Sequence, residues 1–180
     1  IGDLNWFDSL NHALTTMPTG GFSTYDGSVG HFDSYTVELI IILFMFIGGI
    51  NFTLLWFIRE GQFKKASQDE EFKNYLVYIF TTFLFITIAL LLTRDYTTTD
   101  SFIDSLFQVV SIGTSTGYTS TDYMQWPVFT HLLLFVLMIV GACAGSTSGG
   151  LKLMRINLAF KVAMRELIRI AQPRKVQTVR

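Results

Sequence analysis

The sequence predicts an all-α integral membrane protein assembled from repeated units of helix, re-entrant helix and helix. Three observations predict it. Half of the 180 residues are hydrophobic, 15% are aromatic, 17 are Phe and the mean hydropathy is positive, which is a membrane composition rather than that of a soluble domain. Two uncharged runs, Leu39 to Ile58 and Tyr75 to Thr93, are each long enough to cross a bilayer as a helix. The chain also repeats itself at an offset of 96. Asp8-Ser9-Leu10 returns as Asp104-Ser105-Leu106, Thr19-Gly20-Gly21-Phe22-Ser23-Thr24 returns as Ser115-Thr116-Gly117-Tyr118-Thr119-Ser120, and Asp26 lands on Asp122.

Taken in order, Asp3 to Thr16 is a modestly apolar segment, too short to span, that ends at Thr15-Thr16-Met17-Pro18, where proline stops a helix. Tyr25 to Ser34, with two glycines and two aspartates, reads as a polar connection. Leu39 to Ile58 is predicted as one transmembrane helix, since 20 uncharged residues at ~1.5 Å each cover about 30 Å of hydrocarbon. Gly48-Gly49 and Asn51 near its middle fit either close helix packing with one interhelical hydrogen bond or a flexible point lining a pore.

Arg59 to Asn74 reads as a charged loop, and Tyr75 to Thr93 as a second span of 19 residues. Arg94 to Asp100 is a short polar connection in which Asp100 or Thr99 is the expected N-cap of the next helix. Ser101 to Ile112, only 12 residues, suits a re-entrant helix. Trp126-Pro127 pairs an interfacial aromatic with a helix-start proline, and Val128 to Val140 begins a third span. Ten small residues, Gly141-Ala142-Cys143-Ala144-Gly145-Ser146-Thr147-Ser148-Gly149-Gly150, interrupt it, because a regular helix does not hold so many glycines unaided. Leu151 to Ala171 resumes as an amphipathic basic helix carrying Lys152, Arg155, Lys161, Arg165 and Arg169, and Pro173 ends it. The expected organisation is therefore a repeat lacking its first helix at 1–58, a loop at 59–74 and a whole repeat at 75–180. A chain that opens inside a repeat, with no basic n-region or clean apolar h-region in its first 30 residues, is expected to be an internal fragment.

Charge tests this topology. If both short segments dip in and return, the side that holds them carries Asp3, Asp8, Asp26, Asp33, Glu38, Asp95, Asp100, Asp104 and Asp122 against Arg94 alone, a net of −8, and the opposite side carries +7. The positive-inside bias then puts the two short segments at the outer face and the basic extension in the cytoplasm. An acidic outer mouth also concentrates cations.

Thr19-Gly20-Gly21-Phe22 and Ser115-Thr116-Gly117-Tyr118 share the form hydroxyl, small or hydroxyl, glycine, aromatic. A filter for a dehydrated monovalent cation needs carbonyls aimed at an axis, and glycine cheaply supplies the positive φ that successive carbonyls require to point the same way. The aromatic is expected to pack outward as a spacer, and the preceding short helix to aim its negative C-terminal end at the ion. A single copy reads more readily as a turn; two copies, each behind a short apolar segment and ahead of a span, read as two walls of a potassium-channel-like cation pore.

These two segments, together with the Gly141 to Gly150 stretch and the Leu151-Lys152 that comes after it, resemble the bacterial Trk/Ktr potassium-uptake proteins, most nearly the Trk membrane subunit, over essentially the whole chain. The resemblance implies four repeats around one pore, with this chain holding most of the second and all of the third, so that it needs the remaining repeats to close a pore. It implies that Gly21 and Gly117 are filter glycines and that the carbonyls of Thr19, Gly20, Ser115 and Thr116 contact K⁺. It implies that Gly141, Gly145, Ser146, Thr147, Ser148, Gly149 and Gly150 form an intramembrane gate loop, a place where irregular backbone is tolerated if it lines water or protein. The implied function is potassium uptake across the plasma membrane, the inner membrane of a bacterium, by a homodimer; Na⁺ alongside or in place of K⁺ stays open. By the same resemblance the basic helix meets a cytosolic nucleotide-binding ring through Arg155, Arg165 and Arg169, whereas its composition alone fits a helix lying on anionic lipid equally well.

Other chemistries fit poorly. The only cysteine is Cys143, so neither an intrachain disulfide nor a zinc-type cluster is available. The phosphate-loop pattern is not matched around Lys152, and threonine occupies the centre of Gly145-Ser146-Thr147-Ser148-Gly149 where a nucleophile elbow needs serine. His12, His31 and His131 fall in outer-side segments and read as interfacial or solvated. No catalytic residue, cofactor or nucleic-acid partner is expected, so a membrane-embedded enzyme or a purely structural membrane subunit are the lesser alternatives.

Overall fold

Eight α-helices order the chain in a computed structural model that describes residues 4–93 and 97–171: α1 (Trp6–Thr16), α2 (Tyr35–Gly48), α3 (Phe52–Arg59), α4 (Phe63–Gln68), α5 (Glu70–Leu92), α6 (Thr98–Gly113), α7 (Val128–Val140) and α8 (Leu153–Ala171). No strand occurs among the described residues. The charges at Asp3, Arg94 and Asp95, the stop at Pro173 and the basic tail beyond Ala171 lie outside them.

The centre of the molecule is α6, which packs on α2, α5 and α7. Its sequence explains this position. Ser101, Ile103, Ser105 and the whole run Phe107 to Ser111 are buried, so apolar and small hydroxyl residues face neighbours on nearly every side. A hydrogen bond of 2.6 Å between Ser105 Oγ and Thr87 Oγ1 ties it to α5. The helix starts earlier than expected. Its N-cap is Thr97, not Asp100 or Thr99: the Thr97 hydroxyl accepts from the Asp100 N–H at 3.2 Å and donates to the Asp100 carboxylate at 2.6 Å. Threonine takes the cap because Asp100, three residues on, closes a reciprocal box with it. At 16 residues, about 24 Å long, α6 remains too short to span.

α5, with 23 residues, is the one helix among the described residues that is long and apolar enough to cross a membrane unbroken. It reaches back into the stretch expected to be loop, because Asp69 accepts from the Phe72 N–H at 2.8 Å while Glu70 and Glu71 occupy the first turn, where carboxylates favour the helix dipole. The rest of that stretch holds the end of α3 and all of α4.

The expected single span from Leu39 to Ile58 is corrected. It is two helices, α2 and α3, bent by 103°. The bend has a local cause: Asn51 caps the second helix by accepting from the Thr53 N–H at 2.9 Å, and the Phe52 N–H leaves the helical ladder to donate to the Gly145 carbonyl at 3.1 Å. Both readings of Gly48-Gly49 and Asn51 were incomplete, since the glycines pack closely and also mark a break. The interruption expected after Val140 is present, with α7 stopping at Val140 and α8 starting at Leu153. Shifted by the repeat offset, Gly48 to Asn51 falls on Ala144 to Thr147, so the α2–α3 and α7–α8 pairs are interrupted at the same level of the internal repeat.

Candidate functional site

The two glycine-aromatic segments extend from the C-terminal ends of α1 and α6, and their backbones are copies of one another. The Gly20 and Gly21 N–H groups both reach the Thr15 carbonyl, at 2.8 and 3.3 Å; the Thr116 and Gly117 N–H groups reach the Ser111 carbonyl at the same two distances. Thr19 and Gly21 have φ of 54° and 68°, and Ser115 and Gly117 have φ of 59° and 84°, while the residue between each pair does not have positive φ. Alternation of this kind turns successive carbonyls toward one side of the strand, which is what coordination of a bare cation requires. Only the glycines were expected at positive φ. Thr19 and Ser115 adopt it as well, and for a β-branched residue such as Thr19 this is a strained conformation that tertiary structure must hold.

The segments lie side by side. A β-carbon at Gly21 would overlap the Thr116 carbonyl oxygen, so the α-carbon of one strand rests on the backbone of the other. Thr19 and Thr116 are buried, whereas Gly20 and Gly117 are exposed.

The two aromatics behave differently. Phe22 points outward and is 75% exposed, as a spacer would be, but Tyr118 is fully buried. Its hydroxyl is hydrogen-bonded to Thr15 Oγ1 at 2.5 Å, its carbonyl accepts from Ser111 Oγ at 2.7 Å, and its ring stacks on His12 with centroids 5.8 Å apart. Tyr118 thus braces its own segment against α1. His12 is corrected accordingly: it is buried behind the segment, with Nδ1 donating to the Asp8 carbonyl at 2.8 Å and Nε2 accepting from Ser23 Oγ at 3.0 Å.

Outside the segments, the repeated aspartates act as staples. Thr24 Oγ1 donates to Asp8 at 2.7 Å, and the equivalent Ser120 Oγ donates to Asp104 at 3.5 Å. Tyr25 also donates to Asp8, at 3.0 Å, and this bond holds its phenol above the ordinary range. The loop at Ser28 to Phe32 crosses onto the third repeat, where the Gly30 N–H donates to the Thr119 carbonyl at 3.1 Å.

Beneath the segments lies the irregular stretch from Gly141 to Lys152. Gly141 has φ of 71° and its α-carbon abuts the Gly149 carbonyl, so the stretch closes on itself as a hairpin-like loop that admits no side chain there. Gly149 sits beneath Ser115, its position for a β-carbon 3.3 Å from Ser115 Oγ. Thr147 reaches the end of α2, donating to the Gly48 carbonyl from its N–H at 3.2 Å and from its hydroxyl at 3.0 Å, with the Met17 carbonyl 3.3 Å from the same hydroxyl. The Cys143 N–H donates to the Gly49 carbonyl at 3.2 Å. Ser146 Oγ caps the Cys143 carbonyl at 2.6 Å, and Lys152 folds back to donate to the Ser148 carbonyl and to Ser148 Oγ. One loop therefore touches the base of both segments and the break of the other inner helix. Its composition was legible; the contacts it makes with Gly48 and Met17 were not, because they come from a helix end and a turn that carry no periodicity.

Along α8, Arg155 and Arg169 are exposed and Arg165 is half-buried, with Arg165 and Arg169 both facing Glu166 at 3.4 and 3.6 Å. Among the described residues no group of three or more His, Cys, Asp and Glu is placed to hold a metal ion.

The family model described as TrkH, cation transport protein, matches residues 2–180. The Trk system potassium uptake protein TrkH of Halomonas elongata is 39% identical over 180 residues, covering 98% of this chain, and that of Escherichia coli K12 is 39% identical over 176 residues, covering 97%. The chain spans 37% and 36% of the length of these two relatives. The crystal structure of the potassium transporter TrkH from Vibrio parahaemolyticus superposes with a TM-score of 0.92 at 40% identity, covering 99% of this chain and 39% of that one.

Proposed function

The chain belongs to the TrkH cation transport family, and from that membership we propose that it forms two of the four walls of a pore for potassium uptake across the plasma membrane. Thr19, Gly20, Gly21 and Phe22 make one wall of the filter, and Ser115, Thr116, Gly117 and Tyr118 the next. Carbonyls of Thr19, Gly20, Ser115 and Thr116 replace water around K⁺ without burying a formal charge. The observation that carries the reading is the duplicated alternation of backbone hand at Thr19/Gly21 and Ser115/Gly117 in two strands lying in contact. Potassium is the ion named for the relatives.

The loop from Gly141 to Gly150 is the gate, because it lies under both walls and is built from small residues that a modest movement can displace. The acidic charge around the filters and the basic charge of α8 support an arrangement with the filters open to the outside and α8 cytoplasmic. In the whole protein, most simply a homodimer with one pore per protomer, Arg155, Arg165 and Arg169 are the candidate contacts for a cytosolic nucleotide-binding regulator.

Rb⁺ flux through the reconstituted full-length protein tests the reading. Flux that is present in the native protein and abolished by Gly117→Asp supports it, and a Gly117→Asp protein that conducts normally refutes the filter assignment.

A further inference from the structure

Glu71, in the first turn of α5, makes contacts that none of the pore roles above uses. One of its oxygens, Oε1, accepts from the Ala144 N–H at 2.6 Å and from the Met154 N–H at 3.2 Å. Ala144 belongs to the loop beneath the filter, and Met154 to the first turn of α8. The carboxylate is half-buried and sits at the N-terminus of a 19-residue helix, where its charge favours the dipole, and both bonds are of the charge-assisted kind.

The loop's remaining ties run elsewhere. Thr147 and Cys143 hold it to the end of α2, the Gly145 carbonyl accepts from the Phe52 N–H of α3, the Ala142 carbonyl accepts from the Leu153 N–H of α8, the Leu151 N–H donates to the Ile139 carbonyl of α7, and Lys152 holds it to itself. Glu71 alone among these contacts ties both the loop and α8 to α5, through a single atom. The neighbouring Glu70 pairs with Lys161 on α8 at 2.8 Å, but both side chains are largely exposed and such a pair contributes little. A displacement of α8 from α5 must therefore break the Met154 bond or draw the Glu71 carboxylate, and with it the bond to Ala144, along.

We propose that Glu71 is the latch of this loop: its carboxylate holds the loop closed beneath the filter and passes movement of α8 to it. This rests on the reading of Gly141 to Gly150 as a gate. Glu71 is a positioning residue, since it touches no ion.

The test uses the full-length protein in lipid vesicles, with Glu71→Ala, Glu71→Gln and a Lys161→Ala comparison, read by regulator-free Rb⁺ flux and by hydrogen exchange of peptides covering 141–154. Glu71→Gln keeps a carbonyl acceptor of the same shape and guards against a failure of Glu71→Ala to fold. Losing charge-assisted bonds to two backbone groups is expected to raise basal flux and the exchange rate of those peptides about tenfold in Glu71→Ala. Glu71→Gln is expected to give less of both, and Lys161→Ala to leave both near native. Unchanged exchange in Glu71→Ala and Glu71→Gln overturns the latch. Faster exchange with unaltered flux also overturns it. In that case a deletion of 145–149 separates the causes: raised flux on deletion means that only the latch is wrong, and unaltered flux means that the gate reading has failed with it.

Discussion

The carbonyl of Thr116 lies against the α-carbon of Gly21, so closely that a β-carbon at Gly21 would overlap it. Two strands 96 positions apart in the chain are thus in backbone contact, and the contact is possible only because residue 21 has no side chain. Gly21 also has φ of 68°, where a side chain costs ~1–2 kcal/mol before any clash is counted. Gly21→Ala is therefore expected to abolish Rb⁺ flux in the full-length protein by forcing the strands apart. Flux within threefold of native would mean that the strands do not need this separation.

Tyr118 joins the two repeats from behind, through its hydroxyl on Thr15 Oγ1 at 2.5 Å and its ring stacked on His12. A double-mutant cycle of Thr15→Ala and Tyr118→Phe is expected to give a coupling of ~1 kcal/mol in thermal stability, the net worth of a buried hydrogen bond. Each single variant is also expected to lower the preference for K⁺ over Na⁺, because a filter tied less firmly can close around a smaller ion. A coupling near zero would make Tyr118 an isolated packing residue.

How much of the molecule its sequence discloses depends on how local each feature is. The duplicated segments were readable because glycine and hydroxyl residues recur in register, and α5 because an uncharged run of its length has few other uses. The break in Gly141 to Gly150 was readable from composition alone. The break at Gly49 to Asn51 was not. Its flanks are continuous in hydropathy, and the forces that open the helix come from Asn51 as a cap and from Gly145, which is 94 positions away. The positive φ of Thr19 and Ser115 was hidden for a different reason, since residue propensity opposes it there although the backbone partners, Thr16 and Ile112, lie only three residues back. Tyr118 and Phe22 look equivalent in the repeat, yet Tyr118 is buried against Thr15 and His12 of α1 while Phe22 is exposed, a difference set by contacts distant in the chain.

The same distant contacts make the bend between α2 and α3 testable. A β-carbon at Gly49 would stand 2.5 Å from the Tyr75 hydroxyl and 2.9 Å from Thr114 Cγ2. Tyr75 and Thr114 are fully buried, so neither has room to withdraw, and overpacking of this kind costs ~1–3 kcal/mol. Gly49→Ala is expected to lower the melting temperature of the detergent-solubilised protein. Tyr75→Phe removes the nearer of the two obstructing atoms at small cost, because the hydroxyl makes only a 3.4 Å bond to the Phe46 carbonyl. The Gly49→Ala, Tyr75→Phe double variant should therefore recover roughly half of the loss. If the two changes merely add, the glycine is required by the bend's own backbone and not by the approach of α5, and the account of why this inner helix breaks must rest on Asn51 alone.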